Sequence, residues 1–154
     1  MEFINSSSNY FLNKSTYINL RWIGIIGQFL TINIVAFIFK FEFNYILSNV
    51  IVIFGAVSNI FLINYNRSTQ LSNKIAFYYL LDDILQLSLL LYLTGGILNP
   101  FSVFLIIPSV FASSNLNIKT NLILILITIL SISVLTLYHQ ELPSPLNDYK
   151  LSNY

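Results

Sequence analysis

The sequence predicts an all-α membrane protein, a bundle of about five transmembrane helices with its N-terminus cytoplasmic, and three observations carry that prediction. The chain of 154 residues is 56% hydrophobic and only 8% charged, with mean hydropathy +0.74, where a soluble domain carries about 25% charged residues. Its few charges are spaced so that long uncharged stretches separate them. The longest of those stretches, Ile84 to Ile118, is broken at its centre by LTGGILNPF, residues 93–101, in which a glycine pair and an Asn-Pro pair are both turn-forming.

The elements follow in order. Residues 1–20 are polar and rich in Asn and Ser and read as a cytoplasmic N-terminal segment. The apolar stretch after them is too long for a secretory signal and lacks its small-residue cleavage pattern, so it reads as a retained first span. Trp22 to Phe39, Phe43 to Asn66 and Thr120 to Tyr138 contain no charge, and each is near the roughly 20 residues a spanning helix needs. The middle stretch, extended back through Asp83 and Asp82 to Ile75, holds two spans if the chain turns at LTGGILNPF. Gly95 and Gly96 suit a helix C-terminus, Asn99 an N-cap and Pro100 a first helical position. The transmembrane domain is then 21–138, with spans at about 21–40, 45–65, 75–93, 100–116 and 120–138. Residues 139–154, with Pro143 and Pro145, form an external loop or tail.

Basic residues set the orientation. An inside N-terminus places Lys14, Arg21, Arg67, Lys74 and Lys119 in the cytoplasm against Lys40 and Lys150 outside; the LTGGILNPF loop is then external. Several function classes drop out. Net charge is +1, so no basic field points to nucleic acid. Without cysteine there is no disulfide, Cys-ligated zinc or thiol chemistry. The single histidine, His139, has Glu141 nearby but no second ligand in a metal-binding spacing, and reads as an interfacial polar residue. No phosphate loop, nucleophile elbow or HExxH is present, so no catalytic residue and no metal site is assigned.

Asp82, Asp83 and Gln86 stand out inside the third span. Counted from Ile75, the carboxylates lie roughly 10–12 Å into the helix, where each costs about 2.5–3.5 kcal/mol. Gln86 follows Asp82 by four residues and Asp83 by three, so the amide shares a face with one of the acids and can bond to it or to a neighbouring helix. Interhelical bonding, helped by Asn59 or Asn33, accounts for the cluster. So does a proton relay or signalling hinge, and with it the alternative that the chain is part of a small transporter or channel, or a structural membrane subunit.

Three ordered pieces, LRWIGIIGQ at 20–28, DILQLSLLLYLTGGILNPF at 83–101 and Pro108 within FLIIPSVFAS, resemble the membrane sensor domain of the RegB/PrrB/ActS family of redox-responsive sensor histidine kinases. In that family a GGxxNPF element lies in the periplasmic loop between the third and fourth spans and is associated with sensing ubiquinone. Gly95, Gly96, Asn99, Pro100 and Phe101 fill all its fixed positions. The resemblance runs from about Leu20 to Pro145 and implies the first five of six spans, in a bacterial cytoplasmic (inner) membrane. It implies contact with lipid and the quinone pool, a homodimer, and a response regulator as partner of the intact protein. The family's sixth span, phospho-accepting histidine segment and ATP-dependent kinase domain have no counterpart here, so the chain reads as an N-terminal fragment or split-gene product, and His139 is not the phosphorylated histidine.

A quinone head is a flat ring with two acceptor carbonyls, and it needs donors beside an apolar or aromatic face. The first turn of the fourth helix presents N–H groups toward the loop, and the Asn99 amide is itself a donor. Tyr92, Phe101 and Phe104 lie close enough to stack on a ring, and Gly95 and Gly96 permit close approach. The same residues also suit a plain tight turn at the membrane interface. Arg21 and Trp22 fall at the other end of the first span, roughly 27 Å away. They read as an interfacial anchor, with Gly24 and Gly27 allowing a neighbouring helix to pack closely.

Overall fold

The computed structural model describes residues 12–65 and 69–138. Five α-helices account for most of them: α1 (Lys14–Asn33), α2 (Tyr45–Asn64), α3 (Asn73–Leu93), α4 (Ile107–Asn115) and α5 (Ile118–Leu137). A π-helical turn, Ile34–Ile38, prolongs α1, and 3-10 segments Gly96–Leu98 and Pro100–Ile106 connect α3 to α4. Four helices are long and apolar enough to cross a membrane: Lys14–Ile38, Tyr45–Asn64, Asn73–Leu93 and Ile118–Leu137. Pro100–Asn115 is apolar but shorter. The all-helical membrane bundle of the sequence reading is therefore present. His139, Glu141, Arg67, Lys150 and most of the two termini lie outside the described residues.

Local chemistry explains the helix starts. Asn13, Asn44, Ser72 and Asn117 each accept a hydrogen bond from the N–H three residues on, satisfying one of the donors a helix leaves open at its beginning. Asn13 starts α1 seven residues before the expected boundary, so Tyr17 is helical rather than part of a polar tail. Leu12–Asn13 (β1) pairs antiparallel with Gln70–Leu71 (β2), which fastens the start of α1 to the α2–α3 connection. Lys14 Nζ reaches the last carbonyls of α2, at Ile63 (3.1 Å) and Tyr65 (2.7 Å). At the same end, Asn73 accepts from Asn117 N–H and donates to Thr120, holding α3 to α5.

The expected fourth span at 100–116 differs in kind. Pro108 has no N–H to give the carbonyl of Phe104 and its ring crowds that carbonyl. Ile107 N–H bonds Phe104 instead, three residues back, and the chain runs as a 3-10 helix until that point. Because a 3-10 helix rises about 2.0 Å per residue against 1.5 Å, these 16 residues extend about 27 Å, close to the roughly 30 Å of a hydrocarbon core.

α3 is central. Its buried Leu80, Ile84 and Leu91 pack with Leu105, Ala112, Leu124 and Leu135 from the chain that follows. A second cluster joins Ile25 and Ile32 of α1 to Val52 of α2 and Leu90 of α3. α1 lies backbone against α2 far more closely than against α3. Its links to α3 run largely through side chains, which leaves a gap between the two helices. The outer faces, including Ile23, Phe37, Phe54, Leu126 and Leu130, are exposed and apolar, as lipid contact requires.

Candidate functional site

One end of the α1–α3 gap is closed by a polar cluster. Arg21 donates from Nε to Asp83 (2.8 Å) and from Nη2 to Asp82 (2.9 Å), and its side chain is 3% exposed. Tyr17 OH donates to Asp83 at 2.5 Å, and Ser58 of α2 donates to Asp82 at 2.6 Å. The guanidinium also lies over the rings of Tyr17 and Tyr79, 5.7 and 5.4 Å from their centroids. Phe111 of α4 stacks on Tyr17. Two carboxylates in an apolar span are thus offset by one cation and two hydroxyl donors, and three helices are joined through them.

This corrects the reading of Arg21. It is no interfacial anchor; it turns inward because two carboxylates of α3 sit opposite it, and it drops out of the charge count that oriented the chain. Trp22, next to it, is partly buried and packs against the second apolar cluster of Ile25, Ile32, Val52 and Leu90. Gly24 and Gly27 are corrected too. A Cβ added at either would meet nothing within 4 Å, so they admit no tightly packed neighbour and instead line open space.

That space is a cleft of about 740 Å³ between α1 on one side and α3, the α3–α4 turn and α4 on the other. It runs from Tyr17, Arg21 and Asp83 to Asn99, Pro100 and Phe101, and its wall is overwhelmingly apolar, with Leu87, Leu90, Phe104 and Phe111 among the lining residues. Its size suits a small organic ligand, whose pockets run to about 300–1,000 Å³. Midway, Gln86 Nε2 donates to Gln28 Oε1 at 3.1 Å across the gap. The Gln86 amide rests on Gly55 of α2, where a Cβ would overlap it.

The turn that ends the cleft is built from LTGGILNPF. Gly95 and Gly96 have φ of 110° and 61°, conformations that side chains disfavour, and they reverse the chain after α3. Asn99 Oδ1 accepts from Phe101 N–H (2.9 Å), while its Nδ2 donates to the carbonyl (3.0 Å) and hydroxyl (2.8 Å) of Thr94. Ser102 N–H bonds the Asn99 carbonyl. The donors expected to face a ligand, Asn99 Nδ2 and the first N–H groups of the fourth helix, are therefore spent within the turn. The rings of Phe101 and Phe104 remain available, 5.6 Å apart and roughly half exposed.

Of the residues singled out in the sequence, Asn99, Pro100, Phe101 and Phe104 line the cleft, as do Asp83, Gln86 and Arg21. Gly95, Gly96, Tyr92, Asp82 and Trp22 do not line it. Asn33 bonds Asn49, and Asn59 bonds the Ile18 carbonyl, so neither joins the acidic cluster. Tyr17, Gln28, Ser58 and Phe111 were missed. A signal existed: Tyr17, Arg21, Gly24 and Gln28 recur at helical spacing, a polar and small-residue stripe on one face of an apolar helix. An arginine in such a span also demands a carboxylate.

Fold and site define a multi-pass helical membrane protein with a lipophilic cleft between its first and third helices. The chain is similar to a sensor histidine kinase, RegB of Cereibacter sphaeroides, with 31% identity over 130 residues, 82% of this chain and 28% of that protein. It thus spans a little over a quarter of that relative's length, and the likeness supports a RegB-like sensor domain. No family model matches the chain, and no solved structure matches it.

Proposed function

We propose that this chain is the membrane redox-sensing part of a two-component sensor histidine kinase, binding ubiquinone from the quinone pool in the cleft between α1 and α3. One observation carries the reading: the GGxxNPF residues Asn99, Pro100 and Phe101 border an apolar cleft of about 740 Å³. Phe101 and Phe104 offer faces for a flat ring, and the apolar wall suits an isoprenoid tail. Gly95 and Gly96 act by shaping the turn rather than by touching the ligand. Tyr92 is outside the cleft and takes no part.

In this reading the protein sits in the bacterial cytoplasmic membrane with its N-terminus inside. The kinase portion of the intact protein works as a homodimer and phosphorylates a cytoplasmic response regulator. A ligand can shift such a bundle only by binding two arrangements with different affinity. The cleft offers a means, since α1 is tied to α3 by side chains that reach across it. A polar ion pathway has less in its favour, because Arg21, Tyr17 and Ser58 occupy both carboxylates.

The test is equilibrium binding of a short-tailed ubiquinone to the purified chain in nanodiscs, measured against empty nanodiscs. Replacing Phe101 and Phe104 together with Ala is expected to weaken binding by about tenfold or more, the value of lost ring contact. Binding no greater than in empty nanodiscs, or unaffected by the double substitution, refutes the site.

A further inference from the structure

The turn leaves a gap in the chemistry of the cleft. A ring carrying oxygen needs polar partners, and at the LTGGILNPF end the Asn99 amide is consumed by Thr94 and Phe101. At the other end Arg21 is consumed by Asp82 and Asp83. Between them lies the one amide pair that is incompletely used among the described cleft residues. Gln86 Nε2 bonds Gln28 Oε1, and neither Gln86 Oε1 nor Gln28 Nε2 has a partner among the described residues. Gln86 is only 6% exposed, yet its Oε1 keeps some access, because the sealed side-chain atoms without a partner among the described residues are Asn59 Oδ1 and Asn121 Oδ1. Both residues border the cleft.

We infer that the Gln28–Gln86 pair is the polar subsite of the cleft and hydrogen-bonds a ring oxygen of the bound ligand; the assignment rests on the quinone reading above and moves the polar contact away from the loop. The position is consistent with the aromatic contacts. Thr94 lies about 12 Å beyond Gln86 along α3, and the chain returning from Pro100 brings Phe104 about 8 Å back toward the amides. A ring beside Phe104 is then within about 4 Å of the level of the pair along the helix axis, with Gly24 and Gly27 leaving room on the α1 side.

The pair offers one unused donor group and one unused acceptor. A carbonyl oxygen accepts from Gln28 Nε2. A ring hydroxyl accepts there and donates to Gln86 Oε1 as well. One subsite therefore holds the oxidised and the reduced ring, through different bonds, and only the reduced ring is bonded to both α1 and α3. Gly55 belongs to the same device, because its missing side chain is what lets the Gln86 amide lie against α2.

The experiment compares two probes on the full chain in nanodiscs: a benzoquinone with a ten-carbon tail, and the same tail on an unsubstituted benzene ring. The wild-type chain is expected to prefer the quinone by about tenfold, the worth of one well-placed hydrogen bond. Gln28→Leu, and Gln28→Leu combined with Gln86→Leu, should reduce that preference toward unity while retaining binding of the oxygen-free probe. Gln28→Leu alone alters only a half-buried side chain on the cleft wall and guards against a folding defect in the double variant. Phe101→Ala should weaken both probes alike. If the quinone still binds and its preference survives both Gln variants, the subsite is overturned and the quinone reading stands. If preference is lost in Asn99→Ala instead, the loop holds the oxygen and the subsite is again overturned. A wild-type chain that takes up neither probe overturns both readings.

Discussion

Arg21→Met is expected to destabilise the bundle strongly. It removes the cation from two carboxylates while leaving a flexible apolar side chain in the same space. Arg21 donates at 2.8 and 2.9 Å to Asp83 and Asp82, and no other Lys, Arg or His forms an ion pair with either acid among the described residues. Tyr17 and Ser58 supply one hydroxyl donor each, which stabilises but does not neutralise. Breaking a buried pair from one side costs about 3–5 kcal/mol. Neutral interhelical hydrogen bonds in membranes average only about 0.6 kcal/mol, so the charge dominates the loss. In an Asp82→Asn, Asp83→Asn background Arg21 is itself the unpaired buried charge, so the same Arg21→Met change should cost nothing or be stabilising. The coupling, at least about 2 kcal/mol, is measured by following helix loss by circular dichroism during denaturant unfolding in detergent. Equal losses in the two backgrounds would refute the account of Arg21 as the counter-ion of this pair.

Three further outcomes follow from the glycines. Gly24→Ala and Gly27→Ala should each raise stability by about 0.5–1 kcal/mol, because both sit in α1 with open space beyond them; Gly24→Leu should keep the fold but fill the cleft, abolishing ligand uptake in the nanodisc assay. Gly55→Ala overlaps only the end of the Gln86 side chain, which borders the cleft and has room to swing aside, so it should cost less than about 1 kcal/mol, and Gln86→Ala should remove that cost when the unfolding free energies are compared.

Much of the architecture was legible because it depends on local chemistry. Low charge and long apolar stretches mark the spans, since each residue's cost in lipid is largely its own. Gly95, Gly96, Asn99 and Pro100 mark the turn, since positive φ and capping are set within a few residues. The start of α1 at Lys14 was obscured by the polar composition of KSTYINLR, which reads as a tail until Arg21 and Lys14 are seen to have internal partners. The 3-10 stretch before Pro108 was hidden for a different reason: proline forbids one bond, but which alternative the chain adopts depends on what it packs against.

By itself the sequence determined a helical membrane bundle, the place where it turns, and the motif through which it resembles a sensor domain. Only the tertiary structure decided what the polar residues do. Arg21 became a counter-ion, Asn99 a closed turn amide, Gly24 and Gly27 the open wall of a cleft, and Gln28 with Gln86 an incompletely satisfied pair. The reason is physical: a span's length and apolarity are summed along the chain, whereas a polar group in an apolar interior takes its role from the partner opposite it, and that partner lies on another helix.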